Sequence, residues 1–314
     1  MKTVVAIGGN ALVSPGGPGD IGDQFSHSRQ VVKSLADLVE QGWQVTVTHG
    51  NGPQVGNIMR RVEISSGQVY PIDLGLAVAD TQAGMGYMIA QTWMNELRNR
   101  GIDRLVVALV TCAVVDAADP AFRDPTKPIG PFLSKEKAEL HRDQDGWMMV
   151  EDSGRGWRRV VASPRPLRIV EMPILKSLVA GGELVVAGGG GGIPVIVNDR
   201  GELHGVEAVI DKDLTSAMIA AEVGADVLAL LTSVDHAYHN FGKPDQTPLL
   251  RVDLNRLRSL IDEGQFSKGS MLPKIMAAVE FLQRRGDRGA RAVITSLTSL
   301  PAALAGKSGT TITP

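Results

Sequence analysis

The apolar positions change period repeatedly along the chain, and each change marks an element. Residues 3–7 form an unbroken run of β-branched and small apolar residues, the pattern of a strand buried on both faces. From Ser26 onward, Val31, Val32, Leu35, Leu38 and Val39 fall on one helical stripe, and Gly42 supplies a stop. Residues 44–48 read as a second strand. The same grammar then repeats, with helix over 73–98, a buried strand over 105–115, helix over 175–180 and strand over 184–187. It continues with helix over 212–223, strand over 227–231, helix over 272–285 and strand over 291–294.

Strands alternating with helices require right-handed crossovers, so the chain is expected to form a three-layer α/β/α sandwich around a mainly parallel sheet. Its 314 residues accommodate one large domain or two of average size. With no repeat and no low-complexity linker, a single domain over 1–314 is expected. The stretch 119–173 breaks the rhythm, because Phe122, Phe132, Trp147 and Trp157 lie there among prolines and dense charge. It reads as an inserted, hairpin-rich subdomain. Arg155, Arg158, Arg159, Arg165 and Arg168 within it form either a basic patch or a solvated face. Residues 14–22, rich in glycine and proline, read as loop.

Charge narrows the function. Lys and Arg number 32 against 34 for Asp and Glu, a net charge of −2, which argues against a nucleic-acid partner. The single cysteine, Cys112, excludes an intramolecular disulfide and a multi-cysteine metal site, and it reads as a core packer. The six histidines show no metal-ligand spacing. The chain enters its first strand without a secretory hydrophobic region, and no stretch approaches the ~18 apolar residues that span a bilayer. A soluble cytoplasmic protein with no membrane partner is the expectation.

Familiar catalytic signatures are missing. Gly306-Lys307-Ser308 has Pro301 where a phosphate loop needs its first glycine. No G-x-G-x-x-G follows a strand, and neither H-E-x-x-H nor G-x-S-x-G occurs. Glycine placement is the positive signal. It accounts for 36 residues, well above the ~7% of an average chain. The excess clusters after strands, at Gly8-Gly9-Asn10, at Gly50-Asn51-Gly52 and over 188–192. Glycine there either ends a strand in a plain turn or lets backbone N–H groups reach an anion at a helix N-terminus, and the joint pattern favours the anion.

Lysines add to it. Asp211-Lys212-Asp213 opens a helix, as simple caps or as a lysine aimed at phosphate and held by a carboxylate. Lys274 follows Pro273 at the positive end of another helix, in Ser267-Lys268-Gly269-Ser270-Met271-Leu272-Pro273-Lys274, which is unfavourable unless an anion sits there. Pro125-Thr126-Lys127-Pro128-Ile129-Gly130 presents a third lysine on a stiff loop.

These segments, with Ala6 to Leu12, Thr48 to Gly56, Gly188 to Val195, Ala208 to Asp213, Leu231 to Asp235 and Gly269 to Ile275, resemble those of the carbamate kinases within the amino acid kinase family, in the same order along nearly the whole chain. The resemblance implies reversible phosphoryl transfer between ATP, carried with Mg2+, and carbamate, giving ADP and carbamoyl phosphate, often run toward ATP synthesis. It implies that Gly8, Gly9, Asn10, Gly50, Asn51 and Gly52 surround carbamate and the phosphoryl group. Lys212 and Lys274 would neutralise that group, Asp213 would hold them, and Lys127 would reach the small anion. Thr232, Val234, Asp235, Tyr238 and Met271 would border the nucleotide. Residues 122–173 would form a protruding subdomain over the active site, and the protein would be a homodimer. One segment departs from the family pattern, since Gln82-Ala83-Gly84-Met85-Gly86-Tyr87 stands where Gln-Gly-Met-Ile-Gly-Tyr is usual; this touches helix packing or the dimer contact more than chemistry. Two readings compete, a family member acting on another small acid and a non-catalytic nucleotide sensor on the same fold.

Overall fold

A computed structural model of the chain describes residues 1–12, 19–152, 154, 156–267, 269–286 and 289–314. Residues 13–18 of the expected loop, Arg155, Lys268 and the side chain of Asn10 lie outside the described part. The chain runs β1 (Lys2–Ile7), α1 (Ile21–Glu40), β2 (Gln44–His49), α2 (Gly52–Ile64), α3 (Leu74–Asn99), β3 (Val106–Ala108) and β4 (Cys112–Val115). It continues with β5 (Lys127–Leu133), α4 (Lys135–Asp145), β6 (Met149–Glu151), β7 (Trp157–Val161), β8 (Pro166–Ile169), α5 (Met172–Ala180), β9 (Leu184–Val186), β10 (Ile193–Val197) and β11 (Leu203–Gly205). Last come α6 (Lys212–Glu222), β12 (Val227–Leu231), β13 (Ala237–His239), β14 (Thr247–Leu249), β15 (Arg251–Asp253), α7 (Leu254–Asp262), α8 (Met271–Arg285), β16 (Arg291–Thr295), α9 (Leu300–Leu304) and β17 (Thr310–Thr313).

Eight strands form the main sheet in the order β15-β17-β16-β12-β1-β2-β9-β3. From β16 to β3 every pairing is parallel, and β17 runs antiparallel to β16. The runs read as unbroken strands are those at the centre, where both faces must be apolar. Along β1, Val4 and Ala6 enter one core cluster while Val5 and Ile7 enter the other. Helices α5, α6, α7 and α8 cover the first face through Leu175, Met218, Leu257 and Phe281, and α1, α3 and α9 cover the second through Leu35, Ile89, Trp93 and Leu300. The expected α/β/α sandwich is the observed one.

Four expectations change. The first helix begins at Ile21, before Ser26, because the Asp20 carboxylate accepts from Asp23 N and caps it there. The run 105–115 is two strands. After Ala108 the chain leaves the main sheet, Val110 turns outward, and β4 joins a second sheet, β11-β10-β4-β8. Gln82 serves the backbone at that break, accepting from Thr111 N and donating to Thr111 O, so both polar groups of Thr111 are satisfied there. The inserted stretch holds a helix, α4, beside the three-stranded antiparallel sheet β5-β7-β6. Its arginines stack on its aromatics, with Arg142 over Trp157, Arg158 over Phe132 and Arg159 over Trp147 at 4.6–5.2 Å from ring centre. Cys112 is half-buried rather than a core residue, and burial with the Glu171 charge pushes its thiol up to about 11.

Candidate active site

Because β1, β2, β12 and β16 are parallel, the segments that follow them emerge at one sheet edge, where α/β proteins bind ligands. Gly9 and Gly50 meet there. A methyl group on Gly50 would lie 2.7 Å from Gly9 N and 3.1 Å from Lys212 Cδ, and one on Gly9 would lie 3.1–3.3 Å from Gly50, Asn51 and Pro53. Gly8 and Gly52 face open space. The end of β2 is tied to α6 by hydroxyls. Ser216 Oγ donates to Lys212 O at 2.6 Å, so Thr48, 2.6 Å away, donates to Ser216.

Three lysines from distant stretches share this place. Lys212 Nζ donates to Asp213 Oδ1 at 2.6 Å, and Lys274 Nζ donates to Asp213 Oδ2 at 3.1 Å. Lys127 Nζ donates to Asp211 Oδ2 at 3.1 Å, while Asp211 Oδ1 accepts from Asp213 N and caps α6. Asp211 is thus both a cap and a lysine partner, and the sequence reading had left its role open. Lys212, Asp213 and Lys274 have side chains no more than 14% exposed. Two ammonium groups therefore share one carboxylate away from bulk water. Burial would raise Asp213, but the two cations outweigh it and hold it below the usual carboxylate value. Burial would lower Lys212, but Asp213 and then Asp211 keep it above its ordinary value. For Lys274, burial and the neighbouring Lys212 charge prevail over Asp213 and bring it down to about 8.

The five glycines over 188–192, where the sequence pattern favours an anion, are packed into the fold at this edge. All are buried, and three of their N–H groups bond within the fold: Gly191 and Gly192 donate to Gly188 O and Gly189 O, and Gly188 donates to Thr111 Oγ1. They are glycine for shape. Gly190 has φ +64°, and a methyl group on it would fall 2.2 Å from Asn51 Nδ2. Behind Gly50, buried His49 donates from Nδ1 to Gly50 O and is kept neutral, its pKa pushed down to about 4 by burial.

The residues that the family resemblance puts beside a nucleotide lie in the segments after β12 and at the start of α8. Thr232, Val234 and Asp235 follow β12, with Thr232 N donating to Thr295 O. Ser299 Oγ donates to Asp235 Oδ1 at 2.8 Å, and the Ser296 and Ser299 hydroxyls hold Asp235 below its usual value. Tyr238, in β13, lies between the rings of His236 and Phe241. Met271 opens α8, three residues before Lys274. Among the described residues no hydrogen bond or ion pair joins this group to the lysines.

A mainly parallel sandwich with buried cations and glycine loops at its carboxyl edge defines a phosphotransferase-type α/β protein. The amino acid kinase family model matches residues 1–296. The chain belongs to the amino acid kinase family. It is 46% identical to a carbamate kinase of Thermococcus kodakarensis over 99% of this chain and 98% of that one. Against a carbamate kinase of Clostridium perfringens it is 45% identical over 99% of both. A carbamate kinase from Giardia lamblia bound to AMP-PNP superposes with a TM-score of 0.91 at 37% identity, covering 99% and 98% of the two chains. Among the described residues no helix is long and apolar enough to cross a membrane.

Proposed function

We propose that this protein is an ATP-dependent carbamate kinase. In the ATP-forming direction a β-phosphate oxygen of ADP attacks the phosphorus of carbamoyl phosphate. The bond from phosphorus to the carbamate oxygen breaks, and carbamate leaves as an anion. Both end groups already carry negative charge, so no general base is required, and positioning with charge neutralisation supplies the catalysis. The observation that carries the reading is the Lys212–Asp213–Lys274 cluster, which leaves one buried positive charge uncompensated until an anion arrives.

Roles follow. Lys212 and Lys274 neutralise the migrating phosphoryl group, and Asp213 fixes both. The backbone around Gly8, Gly9, Asn10, Gly50, Asn51 and Gly52 holds the small anion. Lys127, at the foot of the inserted stretch 122–173, moves from Asp211 to that anion, which makes the insert a cover for the site. Thr232, Val234, Asp235, Tyr238 and Met271 border the nucleotide. A kinase using ATP needs a divalent metal, and we assign Mg2+. Among the described residues no group of three or more acidic, His or Cys side chains could hold it, and Asp213 is committed to lysines. That donor set fits Mg2+ carried on the nucleotide phosphates. We further propose a homodimer located in the cytoplasm.

The deciding measurement is ATP formation from ADP, Mg2+ and carbamoyl phosphate in a coupled assay. Absence of turnover, or turnover only with another acyl phosphate, refutes the assignment. Lys127→Ala should raise KM for carbamoyl phosphate roughly 10-fold while that for ADP stays within a factor of two, since it removes a charged partner of the anion. Unchanged KM values would remove Lys127 from the site.

The depressed Lys274 value sets a pH limit. The free enzyme should lose kcat/KM as pH rises through about 8, because deprotonation removes the charge that receives the anion. The stability effect has the opposite sign. Between about 8 and 10.5 the unfolded chain binds this proton more tightly, so this group's contribution to stability grows as pH rises. A flat kcat/KM profile to pH 9.5 would contradict the cluster.

A further inference from the structure

We infer that Thr81 is a positioning residue for substrate choice, holding the Asn51 amide so that its Oδ1 accepts from the amino group of the carbamoyl substrate; this rests on the carbamate kinase reading. Asn51 occupies the N-cap of α2, where asparagine normally accepts a backbone N–H, yet its side chain makes no cap bond. Instead Nδ2 donates to Thr81 Oγ1 at 2.8 Å. The direction is fixed by counting protons. The Thr81 hydroxyl has one hydrogen and gives it to Val78 O at 2.8 Å, so it can only accept from Asn51. The amide is therefore oriented by a neighbour and not by its own rotation.

The glycine run supplies the other wall. Asn51 lies against Gly190, where no side chain fits. That run is anchored through Thr111 to Gln82, the residue beside Thr81 on α3. Oδ1 has no donor among the described residues, and Asn51 stays 7% exposed at the junction of the two glycine loops.

The chemistry supplies the reason for such a mould. The three ammonium ions and the backbone N–H groups gathered here are donors, and the two carboxylates, Asp211 and Asp213, are engaged by the lysines and the start of α6. The donors recognise phosphate and carboxylate oxygens but cannot distinguish an amino group from a methyl group. An NH2 needs an acceptor, and a polar group built to meet it penalises an analogue that lacks the hydrogen.

Acetyl phosphate, with methyl in place of amino, is the probe. We expect the wild type to prefer carbamoyl over acetyl phosphate in kcat/KM for ATP formation, and Thr81→Val to shrink that preference roughly 10-fold with acetyl phosphate use nearly unchanged. Thr81→Ser should restore it. Equal loss with both substrates, or an unchanged ratio in a variant of wild-type Tm, overturns the inference while leaving the kinase reading intact. A wild type inactive with carbamoyl phosphate overturns both.

Discussion

Lys274→Ala should lower kcat by ~10²-fold or more, since it removes charge stabilisation that is strongest when negative charge spreads over the phosphoryl oxygens in flight. Lys274 approaches Asp213 from α8 and Lys212 approaches it from α6, and each is nearly buried. Removing one ammonium leaves a neutral pair of one lysine and one carboxylate. Such a pair is comfortable without ligand and poor at attracting an anion. The folded state should tolerate the change, because the burial of like charges that depresses Lys274 is relieved. A Tm equal to or above that of the wild type, alongside the loss of kcat, separates a catalytic role from a structural one. Lys212→Ala should behave alike in rate. Near-normal turnover in either variant would mean that the cations do not face the transferred group.

The central strands were legible because strands buried on both faces cannot alternate, and their apolar runs stand out from the amphipathic helices around them. The break at Val110 was not legible. Apolar residues continue on both sides of it, and the side chain that holds the backbone there, Gln82 of α3, lies 29 residues before Thr111 in the chain and is adjacent only in the fold. Helix α2 escaped for a related reason. It opens on Gly52-Pro53, reads as a turn, and buries only Gln54, Val55 and Gly56.

The site divides in the same way. Lys274 declared itself by local electrostatic conflict, a cation at the positive end of a helix, and the structure resolves that conflict with a carboxylate shared with Lys212. Asp211 could have been found from its place two residues before Asp213, but its bond to Lys127 spans 84 positions. Thr81 carried no signal, since its role arises only when α3 lies against the β2–α2 junction. The run 188–192 carried a strong signal of close approach. What one of its glycines approaches, the Asn51 amide at Gly190, was not legible, because the two lie far apart in the chain and meet only in the fold.

Gly50→Ala should reduce kcat/KM for carbamoyl phosphate by ~10²-fold, with a modest fall in Tm, because a small displacement of reacting groups is costly in phosphoryl transfer. Gly50 does not adopt the left-handed conformation, so its backbone could accept alanine without strain. The obstacle is space. The new methyl would lie 2.7 Å from Gly9 N and 3.1 Å from Lys212 Cδ, one a backbone atom and the other the stem of a catalytic candidate. The lysine stem can swing, but the Gly9 backbone continues directly from β1, whose residues are buried and paired on both sides. The β2 loop must therefore retreat, taking Asn51 and the start of α2 with it and widening the gap that the two loops close around the anion. Gly84→Ala is the control, because nothing lies within 4 Å of its added methyl and it sits on an exposed turn of α3; it should keep activity within about threefold. If Gly50→Ala turned over like the wild type, the junction of the two glycine loops would have to be a fold contact lying away from the reacting phosphorus.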